Sequence, residues 1–291
     1  MITHVGVVGA GTMGVGVSQA FAAGGLRVTL VDVAESVLDT ARERIGLDAR
    51  MATMFGGPTV DEVLDRIAFT IDLSALSTAG FVVENVTENP DVKAGVYRDL
   101  DAVCPPECLF GVNTSAIPIT RIAGHTGRPD RVIGTHFMNP AQLKPMVEVI
   151  RAFHTSQETV DATVGLLAAI GKESAVVNDS PGFVTNRVAM LTVNEAICLL
   201  EEGVAPAAEI DRLFVRCFGH KMGPLATADL IGLDTVLYSL DVLLDNFNDP
   251  KFRPAQLLRR YVDAGLLGRK TGRGFFTYTD TPARPQVGVP A

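Results

Sequence analysis

The sequence is short of the features that usually announce a partner. Basic residues are outnumbered, with 25 Lys and Arg against 33 Asp and Glu, for a net charge of -8. Phosphate backbones are bound by positive faces, so nucleic acid is excluded as the main partner. A small anionic ligand held by a local patch is not excluded. No apolar run approaches the ~18 residues of a membrane span, so no membrane segment is expected. The chain starts Ile2-Thr3-His4-Val5 after Met1, with neither a basic leader region nor a cleavage site, which reads as a cytoplasmic protein. Cysteine is sparse: Cys104, Cys108, Cys198 and Cys217. Only the first two are close, and no second pair has metal-ligand spacing. Free thiols in a reducing compartment and no metal site are the expectation. One scarcity is local. The first lysine is Lys93, and between Asp32 and that point only Arg42, Arg44, Arg50 and Arg66 are basic.

What is present is ordinary globular material. The 291 residues are 47% hydrophobic and 20% charged, enough for one large or two moderate domains. The apolar run Val5-Gly6-Val7-Val8 leads into Gly9-Ala10-Gly11-Thr12-Met13-Gly14, then a helical pattern over 12–23, a second strand over 27–31, and Asp32. Each part has a chemical reason. Gly9 permits a tight turn, Gly11 lets backbone approach a pyrophosphate, and Gly14 lets helix and strand pack closely. Thr12 and Met13 open the helix, whose free N–H groups face the phosphates. Asp32 stands where a carboxylate binds both ribose hydroxyls and repels the extra phosphate of NADP. Strand, glycines, helix, second strand and acid in this order predict an NAD site.

Alternation of strand and helix continues to about residue 179. Helices are predicted over 34–54, 59–66, 90–103 and 156–170, with strands over 67–71, 81–86, 108–112, 131–137, 146–150 and 173–177. Asn113-Thr114-Ser115 follows a strand's C-terminal end, where open α/β sheets bind ligands. It reads either as a ligand contact through Ser115 or as a cap for the weakly helical stretch 118–124. The run 131–150 carries His136 near the end of one strand and Glu148 inside the next. A strand-loop-strand excursion can return Glu148 beside His136. There a buried carboxylate fixes the imidazole tautomer and stabilises its charged form.

Beyond Ser180-Pro181-Gly182 the alternation stops. Residues 183–202, 206–218, 227–246 and 254–264 read as helices, giving a dinucleotide-binding domain over 1–179 and a helical domain over 180–291. Asn186 lies in the first turns of the first of these helices, where its amide could reach towards the sheet's C-terminal edge. The many apolar helix faces suit a homodimer. Residues 268–276 are too glycine-rich for a helix and read as a loop followed by a docked aromatic segment. The last dozen residues, with Pro282, Pro285 and Pro290, are expected to be disordered. The histidines outside the pair, His4, His125, His154 and His220, read as surface or satisfied core residues.

These words in this order resemble the L-3-hydroxyacyl-CoA dehydrogenases over nearly the whole chain: the glycine motif at 9–14, Asn113-Thr114-Ser115, His136-Phe137-Met138-Asn139-Pro140, Val147-Glu148-Val149, Pro181-Gly182-Phe183-Val184-Thr185-Asn186-Arg187, Met222-Gly223-Pro224 and Gly268-Arg269-Lys270-Thr271-Gly272. The resemblance implies a Rossmann-type sheet followed by an all-helical dimerising domain. It implies His136 as general base, Glu148 as its orienting partner, and Ser115 and Asn186 as holders of the substrate oxygens. The cofactor side of the implied site is Gly9, Gly11, Thr12, Met13, Gly14, Asp32, Glu88, Lys93, Ser115 and Lys270, with NAD as cofactor.

The carrier of the substrate is a separate question. Members of the family that use coenzyme A bear a lysine-rich helical segment after the second strand. Here residues 46–64 contain no lysine, and Arg44 and Arg50 are the cations at hand. Residues 112–117, 217–224 and 228–235 resemble the branch found in polyketide clusters. That branch implies oxidation of a 3-hydroxyacyl unit, such as glyceryl, on the phosphopantetheine of an acyl carrier protein. The alternative is a 3-hydroxybutyryl-CoA or 3-hydroxyacyl-CoA dehydrogenase of fatty acid metabolism. Two other classes fit less well. Sugar-acid dehydrogenases of this architecture use a lysine base on the interdomain helix, and none occurs here before Lys221. A non-catalytic, crystallin-like NAD-binding protein would not need His136, Glu148, Ser115 and Asn186 together.

Overall fold

The computed structural model describes residues 2–278, so the proline-rich end expected to be disordered lies outside the described residues. The chain divides into two compact units, Met1–Phe183 and Val184–Ala291.

The first unit runs β1 (His4–Val8), α1 (Thr12–Ala23), β2 (Arg27–Val31), α2 (Glu35–Thr53), α3 (Val60–Leu64), β3 (Ile67–Thr70), β4 (Phe81–Glu84), α4 (Pro90–Val103), β5 (Leu109–Val112), α5 (Ile119–Ala123), β6 (Val132–Phe137), β7 (Met146–Arg151), α6 (Gln157–Ala169) and β8 (Glu173–Asn178). The strands form one sheet in the order β3-β2-β1-β4-β5-β6-β7-β8. Pairing is parallel from β3 to β6, antiparallel between β6 and β7, and parallel between β7 and β8. Strand order reverses direction at β1, where β2 leaves one side and β4 the other. A crevice opens at such a point beyond the carboxyl ends of the strands.

Strands buried on both faces need apolar side chains at successive positions, and β1 and β4 supply them. Val5, Val7 and Val83 face a core with Phe21 of α1, Ile45 of α2 and Leu166 of α6. Val8 and Val82 face a second core with Tyr97 and Leu100 of α4 and Ile122 of α5. Helix boundaries follow local chemistry. Thr59 and Glu62 form a reciprocal capping box at the start of α3, and Asn89 caps α4, with Pro90 at its first position.

The second unit is helical: α7 (Thr185–Glu201), α8 (Ala207–Phe218), α9 (Pro224–Ile231), α10 (Leu233–Phe247) and α11 (Gln256–Asp263). The single helix predicted over 227–246 is two helices. Gly232 adopts φ 104° between them, a conformation closed to helix and strained for residues with a Cβ. The aromatic segment after residue 268 does dock. Asp229 of α9, fully buried, accepts from the N–H groups of Phe275 (3.0 Å) and Phe276 (2.9 Å) and from the Tyr278 hydroxyl (3.0 Å). Burial, with that bond to Asp229, pushes the Tyr278 phenol up to about 12. Among the described residues no helix is long and apolar enough to cross a membrane, and all four cysteines are free.

Candidate active site

The glycine motif closes the end of β1. Gly9 donates its N–H to the Val31 carbonyl at 2.8 Å and has φ 94°. A Cβ on Gly14 would lie 1.7 Å from the Gly9 carbonyl oxygen, so helix and turn touch backbone to backbone. A Cβ on Gly11 would meet nothing within 4 Å, leaving that side of the loop open. Gly11 is also the N-cap of α1 and brings no side chain to the first N–H groups. Those groups, with Thr12 and Met13 among them, therefore remain available to an anion. Asp32 braces the loop from β2. One carboxylate oxygen accepts from the Ala10 N–H at 2.7 Å and the other from the Val33 N–H at 2.7 Å.

The antiparallel step in the sheet makes the histidine site. His136 and Glu148 are Cα partners across β6 and β7. Both side chains are buried, and His136 Nδ1 lies 3.0 Å from Glu148 Oε2. An ionised carboxylate only accepts, so Nδ1 carries the proton and the lone pair of the neutral ring sits on Nε2. Ser115 Oγ stands 3.2 Å from that Nε2. The Phe183 ring packs beside the imidazole, with centroids 5.8 Å apart. The loop joining the two strands is clamped from beyond α6. Lys172, buried, donates to the carbonyls of Ala141 (2.9 Å), Gln142 (3.1 Å) and Lys144 (2.7 Å). Burial lowers the Lys172 pKa from its ordinary value.

The Asn113-Thr114-Ser115 turn is bonded at every residue. Asn113 Oδ1 accepts from the Phe137 N–H at 3.2 Å, next to His136, and its amide donates to Asn85 Oδ1 at 2.6 Å. The Thr114 hydroxyl accepts from the Ile117 N–H at 3.1 Å and donates to the Glu88 carboxylate. Ser115 N–H donates to Glu88 at 3.0 Å. Ser115 is not a helix cap. The N-terminus of α5 is capped from a distance by Asp179, which accepts from Ile119 N–H (3.1 Å) and Thr120 N–H (2.7 Å).

The remaining expected site residues lie as follows. Lys93 is fully buried, with Nζ 2.8 and 3.0 Å from the Glu84 carboxylate oxygens and 3.2 Å from the Asn113 carbonyl. Glu88 is 3.7 Å from the same ammonium. Burial pushes the Glu84 carboxyl above its usual range, opposed by the Lys93 charge. Asn186 and Lys270 belong to the second unit. Asn186 is in the first turn of α7, and Lys270 forms an exposed ion pair with Asp234 at 2.5 and 2.6 Å. Glu84, Asn113 and Phe183 were not singled out from the sequence as site residues. Glu84 carried the same signal as Glu148, a carboxylate inside an apolar strand.

Two family models match this architecture. Residues 4–180 match the NAD binding domain of 3-hydroxyacyl-CoA dehydrogenase, and residues 182–278 match the C-terminal domain of that enzyme. The chain belongs to the 3-hydroxyacyl-CoA dehydrogenase family. A Bacillus subtilis protein named probable 3-hydroxybutyryl-CoA dehydrogenase is 43% identical over 283 residues, 96% of this chain and 98% of that one. The human mitochondrial hydroxyacyl-coenzyme A dehydrogenase is 35% identical over 288 residues, 96% of this chain and 92% of that one. The crystal structure of (S)-3-hydroxybutyryl-CoA dehydrogenase from Ralstonia eutropha superposes with a TM-score of 0.92 at 41% identity, covering 96% of this chain and 100% of that one. As a member of the 3-hydroxyacyl-CoA dehydrogenase family, the protein is an NAD-dependent oxidoreductase acting on a CH–OH group. Its residues fit that cofactor: the open face at Gly11 and the uncapped start of α1 suit a pyrophosphate, and Asp32 suits ribose hydroxyls.

Proposed function

We propose that the protein oxidises the 3-hydroxyl of a 3-hydroxyacyl-coenzyme A thioester to the 3-oxo form, reversibly. The observation that carries the reading is the line Glu148–His136–Ser115, buried at Glu148 and His136, with Nδ1 bonded to the carboxylate and Nε2 turned to Ser115. Bound NAD supplies the acceptor for the hydride that leaves C3. The hydroxyl proton must leave as the carbonyl forms, and His136 Nε2 is the base that takes it. The ring then becomes an imidazolium, and Glu148 offsets the new charge at 3.0 Å. In this low-dielectric setting such an ion pair is worth far more than in water. Ser115 and Asn186 supply donors to the substrate oxygens. Asp32 sets the preference for NAD over NADP through repulsion of a 2′-phosphate.

The choice of coenzyme A as carrier is supported by relatives that match this chain nearly end to end and are named for 3-hydroxybutyryl-CoA. One observation favours a second reading, an acyl carrier protein. Neither α2 nor α3 contains a lysine, Arg42 lies over the Phe69 ring at 4.2 Å, and Arg66 donates to the Ala22 carbonyl at 3.1 Å. The same 3-hydroxyacyl group offered on coenzyme A and on a holo carrier protein, with NADH absorbance as the readout, separates them. Higher kcat/KM on coenzyme A is expected, and strong preference for the carrier protein would reverse the choice. For the chemistry itself, His136→Ala should lose turnover and keep NAD binding. Wild-type turnover in that variant would remove His136 from the mechanism.

The partner in assembly is proposed to be a second copy of the chain. The second unit leaves Leu213, Phe218 and Leu230 more than half exposed, an apolar surface of the kind helical domains bury against each other. Light scattering on the purified protein should give twice the chain mass.

A further inference from the structure

Glu84 ends β4, and Lys93 lies in the first turn of α4. Both side chains are fully buried and bonded through both carboxylate oxygens. Two charges taken out of water are held at a cost that packed apolar side chains of similar size avoid. Such a pair at the C-terminal edge of the sheet calls for a local task. The third N–H of the ammonium shows it, donating to the Asn113 carbonyl at 3.2 Å. The Asn113 side chain in turn accepts from Phe137 N–H, the peptide next to His136. A continuous route therefore runs from β4 through α4 to the end of β5 and on to the end of β6. Glu88 completes it on the other flank, 3.7 Å from the ammonium and bonded to the Ser115 N–H.

We propose that Glu84 is a positioning residue. Through Lys93 it fixes the 113–115 turn and the end of β6 together, and so holds Ser115 Oγ and His136 Nε2 at 3.2 Å. Glu84 itself meets neither substrate nor cofactor. A direct role for Lys93 on the cofactor predicts something different, because all three of its N–H groups are engaged inside the protein. The effect on turnover rests on the dehydrogenase reading above; the effect on the turn does not.

Three variants of the full chain test this. Glu84→Gln keeps shape and loses charge, and Glu84→Asp keeps charge. The double variant Glu84→Met with Lys93→Met removes the pair at similar volume, so that it folds even where Glu84→Gln does not. Amide hydrogen exchange at Ser115 and Phe137, NADH affinity by fluorescence, and steady-state kcat and KM are measured on each. In the double variant, exchange at both amides should rise at least ~10-fold. Its kcat should fall at least ~10-fold, with KM and NADH affinity within about 3-fold of wild type. Glu84→Asp should keep more turnover than Glu84→Gln. Unchanged exchange in the folded double variant overturns the proposal. So does loss of NADH binding with kcat intact at saturating NAD, which assigns Lys93 to the cofactor instead. If the wild-type protein turns over no 3-hydroxyacyl thioester, the dehydrogenase reading fails and the exchange rates still decide this one.

Discussion

His136 and Glu148 face each other as direct partners of an antiparallel strand pair, and Nδ1 meets Oε2 at 3.0 Å with both side chains buried. The carboxylate can only accept, which leaves Nε2 as the basic nitrogen. Glu148→Gln tests that relationship. An amide donates as well as accepts, so the ring proton can move to Nε2, where it blocks proton uptake. The expected result is a fall in kcat of ~10²–10⁴ with NADH affinity unchanged, measured by steady-state assay and fluorescence titration. A kcat close to wild type would show that the tautomer is set elsewhere.

Two glycines of the same motif should respond in opposite ways. Gly14→Ala puts a methyl group 1.7 Å from the Gly9 carbonyl, backbone that cannot rotate away. Overpacking of that kind costs about 1–3 kcal/mol, and Tm should fall along with NADH affinity. Gly11→Ala meets no protein atom within 4 Å. Its Tm should stay near wild type while NADH affinity drops, because the added methyl occupies space a pyrophosphate needs. Calorimetry and titration on the two variants separate a packing glycine from a cofactor one.

Asp32 should impose NAD over NADP. Its carboxylate is held by the Ala10 and Val33 N–H groups, so it cannot swing away from an added phosphate. Like charges brought together cost several kcal/mol, which corresponds to a preference of ~100-fold or more in kcat/KM. Asp32→Ser should narrow that ratio by raising activity with NADP. Equal kcat/KM for the two cofactors in the wild-type protein would contradict the assignment.

What could be read in advance follows how local each signal is. The NAD motif is contiguous, and its turn, helix start and acid are fixed by residues 9–32 alone. The histidine pair was legible as a spacing, but its register depends on the 138–145 loop and on the Lys172 clamp, 36 residues from His136. Lys93 was implied as a cofactor contact by the resemblance alone, and its ammonium is buried against Glu84 and the Asn113 carbonyl. Its burial was nonetheless written in the helix period: Lys93, Tyr97 and Leu100 lie on one face of α4, and all are fully buried. The break between α9 and α10 was missed because Leu233, Val236 and Leu240 continue the apolar stripe past Gly232. Phe183 read as the start of the first helix in the domain over 180–291, but α7 begins at Thr185 and Phe183 belongs to the first unit, packed beside the imidazole.

His4, taken from the sequence as surface or satisfied core, is a satisfied core histidine with a consequence for acid stability. Its ring nitrogens face Thr29 Oγ1 at 2.9 Å and Thr78 Oγ1 at 3.1 Å at the start of β1. Burial lowers its pKa from the ordinary value of 6.5. The unfolded chain therefore takes up the proton first as pH falls. The neutral ring's contribution is complete above pH 6.5 and is lost as pH drops from there towards the depressed folded value. His4→Gln retains a donor and an acceptor for the two threonines and removes the titration. Urea unfolding at a series of pH values below 6.5 should show wild-type stability falling more steeply than that of the variant, by at most one proton's worth of slope. Parallel curves would mean that His4 is protonated in the folded protein, with both ring nitrogens donating to threonine hydroxyls.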